Sequence, residues 1–293
     1  MVAGALPVRV SVVPYDSGVF NARMGAGPLA LAAGAVQRLR SHGHATEEFV
    51  LQPARAGWRA ELRTAFELHH VIAGAVTTAR ERGQLPLLLS GNCNGTLGVL
   101  AGLASGARRL GLVWLDAHGD FNTPQTDRSG FLDGQALAMV VGRCWQAVTS
   151  AVPGFRPLPE PRVLLIGARS LDEAEEASLR RSGITWLTPA QARDPGHVAA
   201  ALTTLVREAD VVHFHVDLDV YDPSIAPANS YAAPDGLLAG DVQRIVAQTA
   251  DRVPIVSAAL ASYDPTLDPA ARLRDTAIDL AGKLASCGTV VPP

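Results

Sequence analysis

The sequence predicts an α/β fold, a three-layer α/β/α sandwich around an eight-stranded, mainly parallel sheet. Short runs that are apolar throughout are typical of strands buried on both faces of such a sheet. These runs alternate with longer amphipathic stretches, which indicates repeated βαβ units. The 293 residues, 48% of them hydrophobic, are enough for one large core, so we expect a single domain over residues 1–293.

The individual elements follow from this alternation. In chain order, we expect strands in VRVSVV (9–13), EEFVL (47–51), PLLLS (86–90), RLGLVWLD (109–116), RVLLIGA (162–168), ITWL (184–187), DVVHFHVDLD (210–219) and VPIVSAAL (253–260). Longer stretches between them predict helices over 27–40, 56–82, 95–107, 134–148, 171–181, 189–208, 239–250 and 269–286. Two long loops, 120–133 and 220–236, begin where strands end, which is where ligands bind in open parallel sheets.

Charge and cysteine content exclude several functional classes. The net charge of −3 gives no indication of a nucleic-acid partner, and no apolar run reaches the ~20 residues of a membrane span. The N-terminus lacks the basic and long apolar segments of a signal peptide. The cysteines Cys93, Cys144 and Cys287 are sparse and odd in number, which favours a reducing compartment. We therefore expect a cytoplasmic protein that acts on a small molecule.

Two acidic motifs follow predicted strands. In GLVWLDAHGD, the side chains of Asp116, His118 and Asp120 occupy alternate positions and would project together from an extended strand. In HFHVDLD, Asp217 and Asp219 repeat the pattern. One such cluster could anchor a loop, but buried carboxylates repel each other and are costly to desolvate. Two clusters together predict bound cations.

The mixture of carboxylate and imidazole groups suits Mn²⁺, with Fe, Co or Zn as competitors. Carboxylates that bridge two metals about 3.5–4 Å apart activate water for hydrolysis. The residues thus predict two bound metal ions that activate a shared water.

The motifs DAHGDFNTP, SGFLDGQ and DLDVYDPSIAP resemble those of the arginase–agmatinase–formiminoglutamase (ureohydrolase) family, over a span from SGNCN at 90 to SYDP at 262. The resemblance implies an eight-stranded three-layer fold, hydrolysis of guanidino-type C–N bonds at two Mn²⁺ ions, and a possible homo-oligomer. By position, it implies that Asp116 and Asp217 bridge both metals, that His118 and Asp219 bind one metal, and that Asp120 binds the other.

The family's remaining ligand is a histidine, and the segment SGNCNGTLG has Cys93 at that position. Cys93 is either a small buried residue that only packs or a thiolate ligand beside the cations, and its position favours ligation. A thiolate would shift metal preference from Mn²⁺ towards Fe, Co or Zn. Family members with cysteine at this position include one that acts on Nω-hydroxyarginine.

Two residues are candidates for proton transfer. Asp133 stands where arginases have a proton-shuttling histidine, and it would act as a general acid or base if its pKa were raised. His215 lies one strand step before Asp217, and we interpret it either as the proton donor or as a residue that hydrogen-bonds a ligand carboxylate.

The resemblance also implies substrate contacts. Asn122 and Ser129 match residues that hold an α-carboxylate, while Phe131 replaces a third. Asp172 matches a contact to the α-amino group, although its sequence context is also that of a helix N-terminus. Ser262 replaces a guanidinium-binding glutamate, which favours a less basic group such as an N-hydroxyguanidine.

These observations predict a metal-dependent hydrolase of linear amidines that acts on an arginine-like amino acid, with Nω-hydroxyarginine as the first candidate. The alternatives are a formimino or other amidine hydrolase with a non-arginine substrate, and a family member that binds metal without ureohydrolase activity.

Overall fold

The computed structural model describes residues 5–53, 60–104 and 108–290. Its main sheet has eight parallel strands, as predicted: β1 (Val8–Val13), β4 (Thr46–Val50), β5 (Leu85–Ser90), β6 (Leu110–Leu115), β7 (Val163–Ile166), β8 (Thr185–Leu187), β9 (Val211–Asp217) and β10 (Ile255–Ala261). Their order across the sheet is β4-β1-β5-β10-β9-β6-β7-β8. A small antiparallel hairpin of β2 (Tyr15–Asp16) and β3 (Val19–Phe20) was not predicted.

Helices cover both faces of the sheet. They are α1 (Gly27–Ser41), α2 (Glu61–Glu81), α3 (Thr96–Leu103), α4 (Ala136–Val140), α5 (Gln146–Thr149), α6 (Glu173–Arg180), α7 (Pro189–Arg193), α8 (Pro195–Glu208), α9 (Ala239–Ala250) and α10 (Arg272–Cys287). Helices α1, α8, α9 and α10 share one core with Val113 and Leu115 of β6. Helices α2, α3, α4 and α6 pack on the other face, against Leu112 and Trp114. The three-layer sandwich is therefore confirmed.

Two helix predictions were wrong about continuity. The predicted helix 189–208 is two helices, because Asp194 precedes Pro195, adopts an extended backbone (ψ 114°) and caps α8 through Gly196 N. The predicted helix 134–148 divides into a 3₁₀ turn, α4 and α5. Gly142 (φ +80°) and Trp145 (φ +55°) lie between α4 and α5 in the left-handed region and end the helical path.

The remaining helix predictions agree to within a few residues where the structure describes them. The start of the predicted helix 56–82 and the end of 95–107 lie outside the described residues. No helix in the described ranges is long and apolar enough to cross a membrane.

The sheet brings five strand ends together. Strands β5, β10, β9, β6 and β7 are consecutive neighbours, and all are parallel, so their carboxyl ends meet at one edge. The predicted strands 109–116 and 210–219 end earlier, at Leu115 and Asp217. His118, Asp120 and Asp219 therefore lie in turns beyond the strands, and strand alternation is not what brings them together.

Candidate metal centre

The first acidic motif is fixed by local hydrogen bonds. The carboxylate of Asp116 is buried, and it accepts from His118 N through Oδ1 (2.7 Å) and from Trp114 Nε1 through Oδ2 (2.9 Å). Asp120 turns inward because its backbone adopts a left-handed conformation (φ +48°). The convergence predicted from sequence is thus present, but it is made by a tight loop.

The second motif is tied to the first. Asp219 lies in a 3₁₀ turn, Leu218–Val220, and its backbone N–H donates to Asp217 Oδ1 (2.8 Å). Its own Oδ1 accepts from Ala117 N (3.1 Å), inside the first motif. The two loops therefore hold each other in register at adjacent strand ends.

The two motifs and Cys93 create two sets of candidate metal-ligand atoms. In each set the atoms lie within 4.8 Å of one another, and Asp116 belongs to both. We call the set Asp116, His118 and Asp219 the histidine half, and the set Cys93, Asp116 and Asp120 the cysteine half. Asp217 adjoins the cysteine half, because Cys93 Sγ donates to its Oδ2 (3.0 Å).

The electrostatics of these donors suit cations. Burial raises the pKa of Asp120 and Asp217 well above the ordinary range, and neighbouring carboxylates raise both further. Burial alone would lower the pKa of His118, but Asp219 and Asp116 outweigh it and raise that pKa to about 12. Asp219 shows the converse: His118 outweighs burial and lowers its pKa. Two divalent cations on this set of oxygen, nitrogen and sulfur donors would relieve the repulsion, so the residues fit the dinuclear metal centre.

The Cys93 thiol is enclosed by polar neighbours. Besides Asp217, its Sγ contacts His215 Nε2 (3.2 Å) and Ser262 Oγ (3.4 Å). Burial and the charge of Asp217 raise the pKa of the thiol well above its usual range. Cys93 and Ser262, two of the positions where the sequence departs from what the resemblance implies, therefore contact each other.

His215 does not hydrogen-bond a ligand carboxylate, so that interpretation was wrong. Its Nδ1 pairs with Thr96 Oγ1 (2.8 Å), its Nε2 faces the sulfur of Cys93, and its ring stacks on Trp114 with a centroid distance of 3.9 Å. Burial lowers the pKa of His215 well below its ordinary value, so the imidazole is neutral.

Asp133 lies beside both Cys93 and the cavity above the donors. Its Oδ2 accepts from Cys93 N (2.9 Å), and its Oδ1 accepts from Asn94 N (2.8 Å). Burial raises the pKa of Asp133 to about 7. A carboxyl group with that pKa exchanges a proton readily near neutral pH.

A cavity of 350 Å³ opens above the metal-ligand atoms. The four predicted substrate residues, Asn122, Ser129, Asp172 and Ser262, all line it, as does Asp133. Its described lining includes six acidic residues and no lysine or arginine, so it attracts cations. His215, by contrast, is not among the lining residues.

Sequence reasoning missed several wall residues. Met24, Asn229 and Tyr231 line the cavity, and Tyr231 stacks on Phe131 with a centroid distance of 5.4 Å. Asn229 donates through Nδ2 to Asp219 Oδ2 (3.1 Å) and to Ser262 O (3.0 Å). The signal for Asn229 and Tyr231 was the long loop 220–236 after a predicted strand, although nothing in that loop singled out the individual side chains.

Comparison with known proteins shows which family and which solved structures the chain is similar to. The family model described as "Arginase family" matches residues 7–287. An arginase from Bacillus caldovelox is 32% identical over 292 residues, covering 95% of this chain and 97% of that protein. The Bacillus caldovelox arginase structure at pH 5.6 superposes with a TM-score of 0.85 at 30% identity, covering 96% and 98% of the two chains. An N(omega)-hydroxy-L-arginine amidinohydrolase from Streptomyces lavendulae is 31% identical over 188 residues, or 64% of each chain.

Proposed function

The chain belongs to the arginase family, whose members hydrolyse C–N bonds in linear amidines, and we propose that it is a dinuclear-metal amidinohydrolase with Nω-hydroxyarginine as its preferred substrate. The observation that carries this proposal is the pair of donor sets that share Asp116 beneath a substrate-sized cavity. Cys93, Asp116, His118, Asp120, Asp217 and Asp219 would hold the ions. Mn²⁺ is the metal expected for the family, and the sulfur of Cys93 makes Fe, Co or Zn alternatives.

The ions, when bound, would supply Lewis-acid activation of water and stabilisation of negative charge. The chain's own side chains would orient the substrate. Asn122 and Ser129 are already held in place: Asn122 Oδ1 accepts from Thr126 Oγ1 (2.9 Å), and Ser129 Oγ donates to Asp127 Oδ1 (2.7 Å). Such fixed groups orient an amino-acid end at low entropic cost.

Asp133 is our choice for proton transfer. It lines the cavity and has a pKa near 7, so a proton on one of its carboxyl oxygens is available for a leaving amine. His215 is neutral, engaged with Thr96 and the sulfur, and set back from the cavity, so we do not assign it that role.

The substrate's reactive group follows from Ser262. A hydroxyl here cannot neutralise a guanidinium, whereas a carboxylate would. An N-hydroxyguanidine is less basic and needs less compensation, and the resemblance to the Streptomyces lavendulae protein supports the same choice. Phe131, which replaces a polar residue of the family, favours the second candidate, a formimino or other amidine compound that is not an arginine.

A substrate panel tests the proposal. The Mn²⁺-loaded protein is offered Nω-hydroxyarginine, arginine and a formimino amino acid, and release of the amine product is followed. We expect Nω-hydroxyarginine to give the highest kcat/KM. Ser262→Glu should raise the ratio of kcat/KM for arginine to kcat/KM for Nω-hydroxyarginine at least about tenfold. Ser262→Ala should leave that ratio unchanged.

Efficient turnover of arginine by the wild type, with no turnover of the other compounds, would contradict the choice of substrate. Full metal occupancy with no turnover of any amidine would favour a family member without ureohydrolase activity. A cytoplasmic location, a single domain and homo-oligomer formation remain predictions; fractionation, limited proteolysis and sedimentation would check them.

A further inference from the structure

Arg169 lies in the loop between β7 and α6, beside the first acidic motif. Its backbone N–H donates to Ala117 O (2.8 Å). Its half-buried guanidinium donates to six backbone carbonyl oxygens. The acceptors are Pro234 O and Ala233 O (both 2.7 Å), Asp219 O (3.1 Å), Gly167 O (3.2 Å), Val220 O (3.4 Å) and Tyr221 O (3.5 Å).

Four of these carbonyls lie at the two ends of the rim loop 220–236, and a fifth belongs to Asp219, directly before it. The sixth, Gly167 O, lies in the same loop as Arg169. One end begins at Asp219, whose backbone carbonyl accepts from Arg169. The other end returns at 233–234, after Asn229 and Tyr231 have formed part of the cavity wall. The Arg169 guanidinium therefore connects residues 219–221 and residues 233–234, the two ends of the rim loop, to the loop that follows β7.

The side chain of Asp219 is held from the same loop. Asn229 Nδ2 donates to Asp219 Oδ2 (3.1 Å), while Arg169 holds the carbonyl of that residue. Displacement of the rim loop would therefore disturb both the backbone and the carboxylate of Asp219. Hydrogen-bonding partners of this kind orient the ligands of a metal site and tune its affinity.

We propose that Arg169 is a positioning residue that fixes Asp219 and the cavity rim in one arrangement. It is not among the described residues that line the cavity, so it acts through the loop. Lysine cannot replace it, because three donors on one nitrogen do not reach carbonyls that a planar five-donor fork spans. The inference rests on the proposed function in one respect, that Asp219 binds metal.

The test compares Arg169→Lys with a matched control, Arg193→Lys. Arg193 donates to Asp235 O (3.0 Å) and Gly236 O (2.7 Å), at the returning end of the same loop, and within the described part of the chain its side chain makes no hydrogen bond to residues 219–221. Chelator competition should show that Arg169→Lys loses about 10- to 100-fold in affinity for one of two Mn²⁺ ions. The control should bind both ions as the wild type does.

Two further readouts separate positioning from general stability. At saturating Mn²⁺, Arg169→Lys should recover kcat to within about threefold while its KM stays raised, because the rim remains displaced. In metal-free protein, hydrogen exchange should accelerate over 222–236 and stay unchanged in β9 and β10, which report on folding. Arg169→Gln serves as the second variant if the lysine variant does not fold.

The outcomes are distinct. Wild-type Mn²⁺ affinity together with wild-type exchange over 222–236 in both Arg169 variants would overturn the proposal. If the wild type binds no Mn²⁺, the proposed function fails, and exchange in the metal-free variants still decides whether Arg169 holds the rim.

Discussion

The two halves of the candidate metal centre share Asp116 but differ in how they are built. In the histidine half, His118 Nδ1 lies 3.4 Å from Asp116 Oδ1 and 3.3 Å from Asp219 Oδ2, so one imidazole contacts both carboxylates. In the cysteine half, Cys93 is 1% exposed, and its sulfur contacts Asp217, His215 and Ser262. The histidine half therefore pairs its carboxylates with a basic group, whereas the cysteine half places a buried thiol among acidic groups.

This difference coincides with the positions where the sequence departs from what the resemblance implies. The histidine half contains the donor types that the resemblance implies, while Cys93 and Ser262, in place of an expected histidine and glutamate, contact each other on the cysteine side. His215 Nε2, on β9, lies 3.2 Å from the sulfur of Cys93. Changes at 93, 215 and 262 should therefore depend on one another, while changes at His118 should not depend on them.

The largest effect is expected from Asp116→Ala, which removes the proposed ligand common to both halves. Activity should fall by about 10³-fold or more, since each ion contributes several kcal/mol to the reaction. Metal content should fall in both halves at once. Asp251→Asn, an exposed substitution remote from the sheet edge, is the control and should change neither quantity. Loss of only one ion in Asp116→Ala would show that the halves do not share this ligand.

The next effect concerns the crowding of the cysteine half. Cys93→His places a ring where His215 Nε2 already lies 3.2 Å from the sulfur, and overpacking of this kind costs about 1–3 kcal/mol. Urea unfolding of the metal-free protein should show that destabilisation. The double variant Cys93→His/His215→Ser should be more stable than the sum of the two single changes in unfolding free energy predicts. Additive single effects would mean that the two sites do not compete for space.

A smaller effect is expected on the cavity wall beside the histidine half. Glu175 accepts from Phe121 N (2.8 Å), next to Asp120, and burial raises its pKa to about 7. Because the folded pKa lies above the unfolded value, the stabilisation is present below about pH 4.5 and is lost as the pH rises through 7.

Glu175→Gln should remove this pH dependence, on the order of 2 kcal/mol between pH 4.5 and 7, in urea unfolding of the metal-free protein. Glu173→Gln, at an exposed position of the same helix, is the matched control and should keep the wild-type slope of unfolding free energy against pH. If the free energy of unfolding depended on pH equally in both variants, Glu175 would be ionised at neutral pH without a loss of folding stability.

Much of this architecture was predictable because it depends on local patterns. Apolar strands gave the eight-stranded sheet, and the spacing of Asp116, His118 and Asp120 predicted their convergence. The reason for the convergence was not predictable, since the left-handed backbone of Asp120 and the 3₁₀ turn at Asp219 depend on contacts between loops. Asn229 and Arg169 act through residues distant in sequence, so no spacing indicated them.

The most direct test of the dinuclear centre is the metal content of the wild type and of Cys93→Ala, both purified without added metal and then reconstituted with Mn²⁺. We expect close to two ions per chain in the wild type, falling towards one in the variant, because the cysteine half loses its sulfur donor. Two ions in both proteins would make Cys93 a packing residue. Fewer than one ion in the wild type would contradict the dinuclear centre.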